Sequence, residues 1–174
     1  MRQNHEWNTY TYNKYLTLPV SYKIGDEMFG GIIVEIDESG YHGVIIADIS
    51  FGVDLIWSTD YHNFKSWVSQ DYNGKENSEM VLDYYSSISE SAPAFEYCDN
   101  IVIFGYNDWY LPSFKELGMA SRLLNLGGNR VPFWTSSEAP LTFAGEKAYR
   151  LIDTGTFQPS DKQSEAKVIP FREF

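Results

Sequence analysis

The side chains with chemical reach gather in two blocks, Asn107-Asp108-Trp109-Tyr110-Leu111-Pro112-Ser113-Phe114-Lys115-Glu116-Leu117 and Trp134-Thr135-Ser136-Ser137-Glu138. Carboxylates with nearby hydroxyls are the raw material of acid–base catalysis or of a hard-cation site. Neither chemistry is specified here. The chain has no G-x-S-x-G, no HExxH pair and no phosphate-binding glycine loop. His5, His42 and His62 are far apart, and Asp60-x-His62 offers only two donors, which reads as an exposed polar loop. Calcium takes six to eight oxygens, and no such cage is written in the sequence. Asp108 and Glu138 are therefore expected to hold loops by hydrogen bonds. No catalytic residue, metal or cofactor is expected.

The elements that position these residues can be argued locally. Ser113 is a good N-cap, and Glu116 three residues later completes an S-x-x-E capping box in which each side chain accepts from the other's backbone N–H. Pro112 and Leu117 stand where a hydrophobic staple forms. Leu117, Ala120, Leu123 and Leu124 recur at helical spacing, and Gly127-Gly128 offers a left-handed stop, so a helix is predicted over 113–126. The second block reads as a strand that packs Trp134 beneath that helix, with Trp109, Leu111 and Phe171 also in the core.

Upstream, Gly31–Ile36 and Gly43–Ile49 form a hairpin around Asp37-Glu38-Ser39-Gly40. Residues 50–76 lack periodicity and read as a long ordered loop carrying Trp57 and Trp67. A helix starts near Ser78, capped by Asn77, with Val81, Tyr84, Tyr85 and Ile88 on one face. Pro93 breaks it or begins a short second piece with Phe95 and Cys98. Phe133–Ser137, Ala148–Ile152 and Val168–Arg172 are the later strands, with Asp153-Thr154-Gly155-Thr156 as a hairpin turn. Residues 1–23, rich in Tyr, Asn and Thr, read as an extended arm ahead of a single domain, 24–174.

Composition agrees with one compact domain. A chain of 174 residues buries roughly 70% of its extended surface. Aromatics make up 17% of the chain, enough to build a core and also supply rigid recognition area. Against 24 Asp and Glu stand 13 Lys and Arg, a formal net charge of −11, which argues against phosphate-driven binding of nucleic acid. Cys98 is the only cysteine, excluding an intramolecular disulfide, and is read as a small buried hydrophobe. The opening residues are polar, with no apolar run of leader type, and no stretch approaches the ~20 apolar residues that span a bilayer. No membrane insertion is expected.

The order of these blocks resembles the DUF1566 family, whose members resemble the C-terminal domain of the Legionella collagen-like adhesin. The resemblance is carried by Gly-Tyr-x-Asp-Trp-x-Leu-Pro-Ser-x-x-Glu-Leu, Trp-Thr-Ser-Ser-Glu and the terminal Val-Ile-Pro-Phe-Arg-Glu-Phe. Ile24-Gly25-Asp26-Glu27-Met28-Phe29-Gly30-Gly31 adds an opening hairpin, so the likeness runs over residues 24–174. It implies an α+β, C-type-lectin-like fold related to formylglycine-generating enzymes, with two helices flanking a twisted mixed or antiparallel sheet and the first and last strands together. The catalytic chemistry of that superfamily is not carried over, since its enzymes use a pair of cysteines or a histidine cluster. Nor does the chain carry the Glu-Pro-Asn and Trp-Asn-Asp signatures of calcium-dependent lectins; Glu138-Ala139-Pro140 and Asn107-Asp108-Trp109 only echo their letters.

By that analogy a ligand surface lies on the later strands, at Tyr149, Asp153, Thr154, Phe157 and Gln158. The expected function is a non-enzymatic binding or structural module. One form is a bacteriophage virion component, a fibre tip, receptor-binding or decoration protein contacting a host glycan or protein. Its arm would dock on other virion proteins in a homo-oligomer or larger assembly. The alternative is a bacterial protein of the same fold, surface-associated or cytoplasmic.

Overall fold

Residues 22–64, 73–126, 131–140, 143, 145–153 and 155–174 are described by a computed structural model. Almost all of the expected arm, His5, Trp67, Gly127-Gly128 and Thr154 lie outside the described residues. Among the described residues the fold is α+β, with three helices and two sheets. In chain order the elements are β1 (Glu27–Met28), β2 (Gly31–Ile36), β3 (Gly43–Ala47), a 3-10 turn (Ile49–Phe51), β4 (Val53–Ile56), α1 (Gly74–Ile88), α2 (Pro93–Asn100), α3 (Phe114–Leu124), β5 (Phe133–Glu138), β6 (Lys147–Asp153), β7 (Thr156–Asp161), β8 (Glu165–Val168) and β9 (Phe171–Glu173). One sheet is antiparallel in the order β1-β2-β3-β9; the other is mixed, in the order β4-β8-β5-β6-β7, with β5 and β8 parallel.

The opening hairpin forms as its sequence predicts, with Gly40 at a φ of 76° in the connecting turn. Its second strand, β3, pairs with β9, so the last strand joins the sheet of the first strands but stands at the opposite edge from β1, not beside it as expected. The single sheet expected from the family likeness is instead two. Pro170 is the reason at one crossing. It has no N–H for a ladder, and the segment expected as one strand over Val168–Arg172 splits there, β8 joining the second sheet and β9 the first. At the other crossing the 3-10 turn carries the chain from β3 to β4, a strand hidden in what the sequence presents as a loop.

The helices also refine the local reading. The capping box of α3 is complete: Ser113 Oγ accepts from the Glu116 N–H at 3.3 Å and Glu116 Oε2 accepts from the Ser113 N–H at 2.6 Å. This helix ends at Leu124, because Asn125 adopts the left-handed conformation, φ 52°, ahead of the glycines expected to stop it. In α1 the cap is Asn73, one turn before the expected Asn77. Asn77 is instead buried within the helix and donates to Ser136 Oγ at 3.1 Å. Pro93 begins α2 as its first residue.

Three apolar clusters divide the core. Trp57, Val81, Tyr85, Phe95, Leu111 and Trp134 meet between α1, α2 and the second sheet. Leu117 and Ala120 of α3 pack on Val34 and Ile46 of the first sheet and on Phe133 and Leu151 of the second. Period-two alternation therefore sends Trp134 to the α1/α2 side and Phe133 to α3, correcting the expectation that Trp134 lies beneath α3. The opposite face of the first sheet, Ile33, Ile45 and Ala47, is covered by Ile103 and Trp109 of the loop before α3. That sheet is buried on both faces, which explains its continuous apolar runs.

Candidate functional site

The hairpin of β6 and β7 carries the candidate ligand residues and separates them by face. Phe133, Leu151 and Phe157 are lateral neighbours, as are Trp134, Arg150 and Gln158 one residue away in each strand. Adjacent residues in a strand point to opposite faces. The Phe157 ring lies 4.0 Å from that of Phe114, the first residue of α3, and the Tyr149 ring stands edge-on to Phe114 at 5.2 Å. Tyr149 and Phe157 are thus half-buried in one aromatic cluster. Gln158 is exposed on the other face, and Asp153 is exposed at the strand end opposite Thr156.

Asp108, Glu116 and Glu138 are each engaged by protein donors. Asp108 receives Arg172 in two parallel bonds, Nε to Oδ1 at 2.7 Å and Nη2 to Oδ2 at 2.8 Å, while the guanidinium lies 4.1 Å from the Tyr106 ring centre. The Arg172 bond holds the Asp108 carboxyl below its usual range. Glu116 accepts from Ser113 and from the Gly74 N–H at 3.1 Å, and its other oxygen accepts from Tyr110 Oη at 2.9 Å. Burial outweighs these donors and raises the Glu116 pKa.

Glu138 forms a buried pairing that sequence reasoning misses. Its Oε1 meets Lys162 Nζ, and its Oε2 accepts from the Phe64 N–H at 3.0 Å. The two side chains are 2% and 0% exposed. Lys162 Nζ also donates to the His62 carbonyl at 2.8 Å and stands 4.3 Å from the Trp57 ring centre. Burial raises the Glu138 pKa and lowers that of Lys162. Glu138 and Lys162 lie in β5 and just after β7, so no local spacing announces them. As the sequence reading expects, Asp108 and Glu138 both hold loops.

His42 and His62 remain apart. His42 Nδ1 is 3.2 Å from the Phe174 carbonyl, and the His62 ring stacks on Tyr84 with centres 3.7 Å apart. Among the described residues no group of three or more His, Cys, Asp or Glu is placed to hold a metal ion. The Cys98 thiol is fully buried and its pKa is pushed well up by that burial. Among the described residues no helix is long and apolar enough to cross a membrane.

A second concave surface lies on the first sheet. Met28, Phe29, Phe51 and Phe104 line an open groove of about 560 Å³, rimmed by Glu27 and Asp48. The sequence signal for it is Ile103-Phe104-Gly105-Tyr106, a two-residue turn that puts a bulky ring where polar residues normally stand.

No family model and no curated protein matches the chain. Among solved structures, the crystal structure of a fimbrial protein from Bacteroides ovatus ATCC 8483 is similar, with a TM-score of 0.53 and 17% identity. The match covers 74% of this chain and 35% of that one, so this chain spans about a third of the neighbour's length. The likeness is one of fold.

Proposed function

We propose that this chain is a non-enzymatic binding or structural module of a surface assembly, with a C-type-lectin-like α+β fold of the DUF1566 type. The observation that carries the reading is the engagement of Asp108, Glu116 and Glu138 by Arg172, by two helix starts and by Lys162. These groups do scaffold work. The fold likeness to a fimbrial protein favours an adhesive appendage as the setting. The bacteriophage version, with the arm docked on virion neighbours, rests on the residue reading alone, and immunogold labelling of whole cells and of phage particles decides between them.

The ligand surface in this proposal is the free edge of β7 and the β6–β7 turn, with Asp153 at the turn and Gln158 as polar contacts and the rims of Tyr149 and Phe157, reached from the other face, as apolar ones; Thr154 belongs to the same turn in sequence. The labelled chain is expected to bind saturably to bacterial envelopes or immobilised glycans, and an Asp153→Ala/Gln158→Ala variant to bind at least tenfold more weakly with an unchanged circular dichroism spectrum. Saturable binding that the double variant leaves intact overturns the site. Absence of saturable binding across the panel overturns the function.

A further inference from the structure

We infer that the groove on the first sheet binds an apolar polypeptide segment of another protein, one that carries a lysine or arginine. Two short turns build the groove. Phe29-Gly30 joins β1 to β2, and Phe104-Gly105 joins the bridged residues Ile103 and Tyr106. Each turn has positive φ at both positions, 52° and 91° in the first and 50° and 87° in the second, the combination of a type I′ turn. Asn-Gly suits such a turn, whereas a phenylalanine there holds a conformation costly for a bulky side chain.

The two rings differ in what offsets that cost. Phe29 stacks on Phe174 at 5.2 Å and meets Tyr22 edge-on at 5.4 Å, so its strain serves the core. Phe104 is 82% exposed, and among the described residues no aromatic ring packs against it. Strain that the molecule does not itself use marks a binding site. Ile49, between the lining residues Asp48 and Ser50, is 53% exposed, and Val102, two residues before Phe104, is 64% exposed. Large apolar side chains accumulated around one groove are the mark of a docking surface.

The charges select the occupant. Glu27 and Asp48 stand on the rim, neither forms a salt bridge among the described residues, and no lysine or arginine there lines the groove. A cation seated beside these carboxylates gains the partners they lack, while its apolar neighbours cover Met28, Phe51 and Phe104. A second copy of this chain would bring the same two carboxylates and another net charge of −11, and an anionic lipid surface would bring more negative charge still. Both are repelled. The volume of about 560 Å³ takes a few side chains of an extended segment.

Fluorescence anisotropy of labelled peptides titrated with the full chain tests this. The probes are synthetic peptides of about ten residues that alternate Leu or Phe with Lys, and the same peptides with Glu in place of Lys. The Lys peptides are expected to bind saturably, more weakly as salt rises, and at least about tenfold more tightly than the Glu peptides. Glu27→Gln/Asp48→Asn is expected to remove most of that preference. Phe104→Asn supplies the residue the turn prefers, so it is expected to raise Tm by a few degrees and to weaken binding at least about tenfold. A stabilised variant that no longer binds separates docking from folding. Absence of saturable binding, equal binding of the Lys and Glu peptides, or binding that Phe104→Asn leaves unchanged overturns the inference. Self-association in sedimentation, or binding to phosphatidylglycerol vesicles, that Phe104→Asn abolishes assigns the groove to a second copy or to lipid and overturns it too. Asp153→Ala/Gln158→Ala is expected to bind these peptides as the unaltered chain does, so this inference and the β6–β7 surface fail separately.

Discussion

The Gly74 amide donates to the Glu116 carboxylate at 3.1 Å, joining the first residue of α1 to the capping box of α3. One buried side chain thereby serves two helix starts. A Cβ at Gly74 would stand 2.5 Å from Glu116 Oε2, 2.6 Å from the Ser113 nitrogen and 2.7 Å from the Leu111 carbonyl oxygen. Gly74→Ala is expected to destabilise by about 2 kcal/mol through overpacking, read from the urea midpoint. Gly118→Ala is the contrast: its Cβ would meet only Phe157, at 3.6 Å. There the gain in helix propensity is expected to stabilise by roughly 0.5–1 kcal/mol.

Lys162 and Glu138 are expected to behave as a unit. Lys162→Met or Glu138→Leu alone leaves a buried charge without its partner and is expected to cost about 3–5 kcal/mol. The double substitution is expected to recover most of that loss. A double-mutant cycle from chemical denaturation checks it, and additive losses would show that the two side chains act independently.

The Asp108–Arg172 pair contributes to acid stability. Its carboxyl is held below the usual value of 3.8. The folded state therefore binds that proton less readily than the unfolded chain. The contribution is present above the unfolded value and is lost as pH falls through the lower, folded one. Asp108→Asn is expected to flatten this part of the acid unfolding curve. The measurement is stability against pH at two salt concentrations.

At the alkaline end Tyr85 contributes. Burial pushes its pKa to about 12, and its hydroxyl donates to the Asp60 carbonyl at 2.7 Å. Between the usual value of 10.0 and about 12 the unfolded chain loses this proton and the folded chain keeps it. Stability is expected to fall with rising pH through that window. Tyr85→Phe is expected to remove the added slope, and absorbance titration at 295 nm is expected to lose one late-titrating tyrosine.

On the β6–β7 hairpin the two kinds of candidate are expected to separate. Tyr149→Ala and Phe157→Ala empty the cluster around Phe114 and are expected to lower Tm by several degrees. Asp153→Ala and Gln158→Ala are expected to leave Tm within about a degree, because exposed positions carry little stability. Differential scanning fluorimetry separates them.

What was legible in the sequence was local. Ser113 and Glu116 satisfy each other three residues apart, Gly40 supplies a positive φ inside a short turn, and Pro93 suits a helix start; each physical cause lies within a few residues of its effect. The cap of α1 misled because Asn73 and Asn77 are both good caps and Gly74 reads as a breaker. Its tolerance comes from the backbone of another helix packed against it. The division into two sheets was not legible, since the apolar run Val168-Ile169-Pro170-Phe171 has the same pattern whether or not it changes partners. The Lys162–Glu138 pair joins two elements and leaves no trace in spacing, and the groove shows in the sequence only as the bulky ring of Phe104 at a two-residue turn.

The split at Pro170 bears on how the molecule is made. Residues 165–173 close two sheets at once, β8 against β4 and β9 against β3, across sequence separations such as the 113 residues between Asp54 and Lys167 and the 132 between His42 and Phe174. A nascent chain that has not yet released this stretch from the ribosome exposes two unsatisfied strand edges together. The slow, entropically costly closure waits until residues 165–173 have emerged. A stop codon before Glu165 would therefore yield an aggregation-prone product, not a slightly shortened domain.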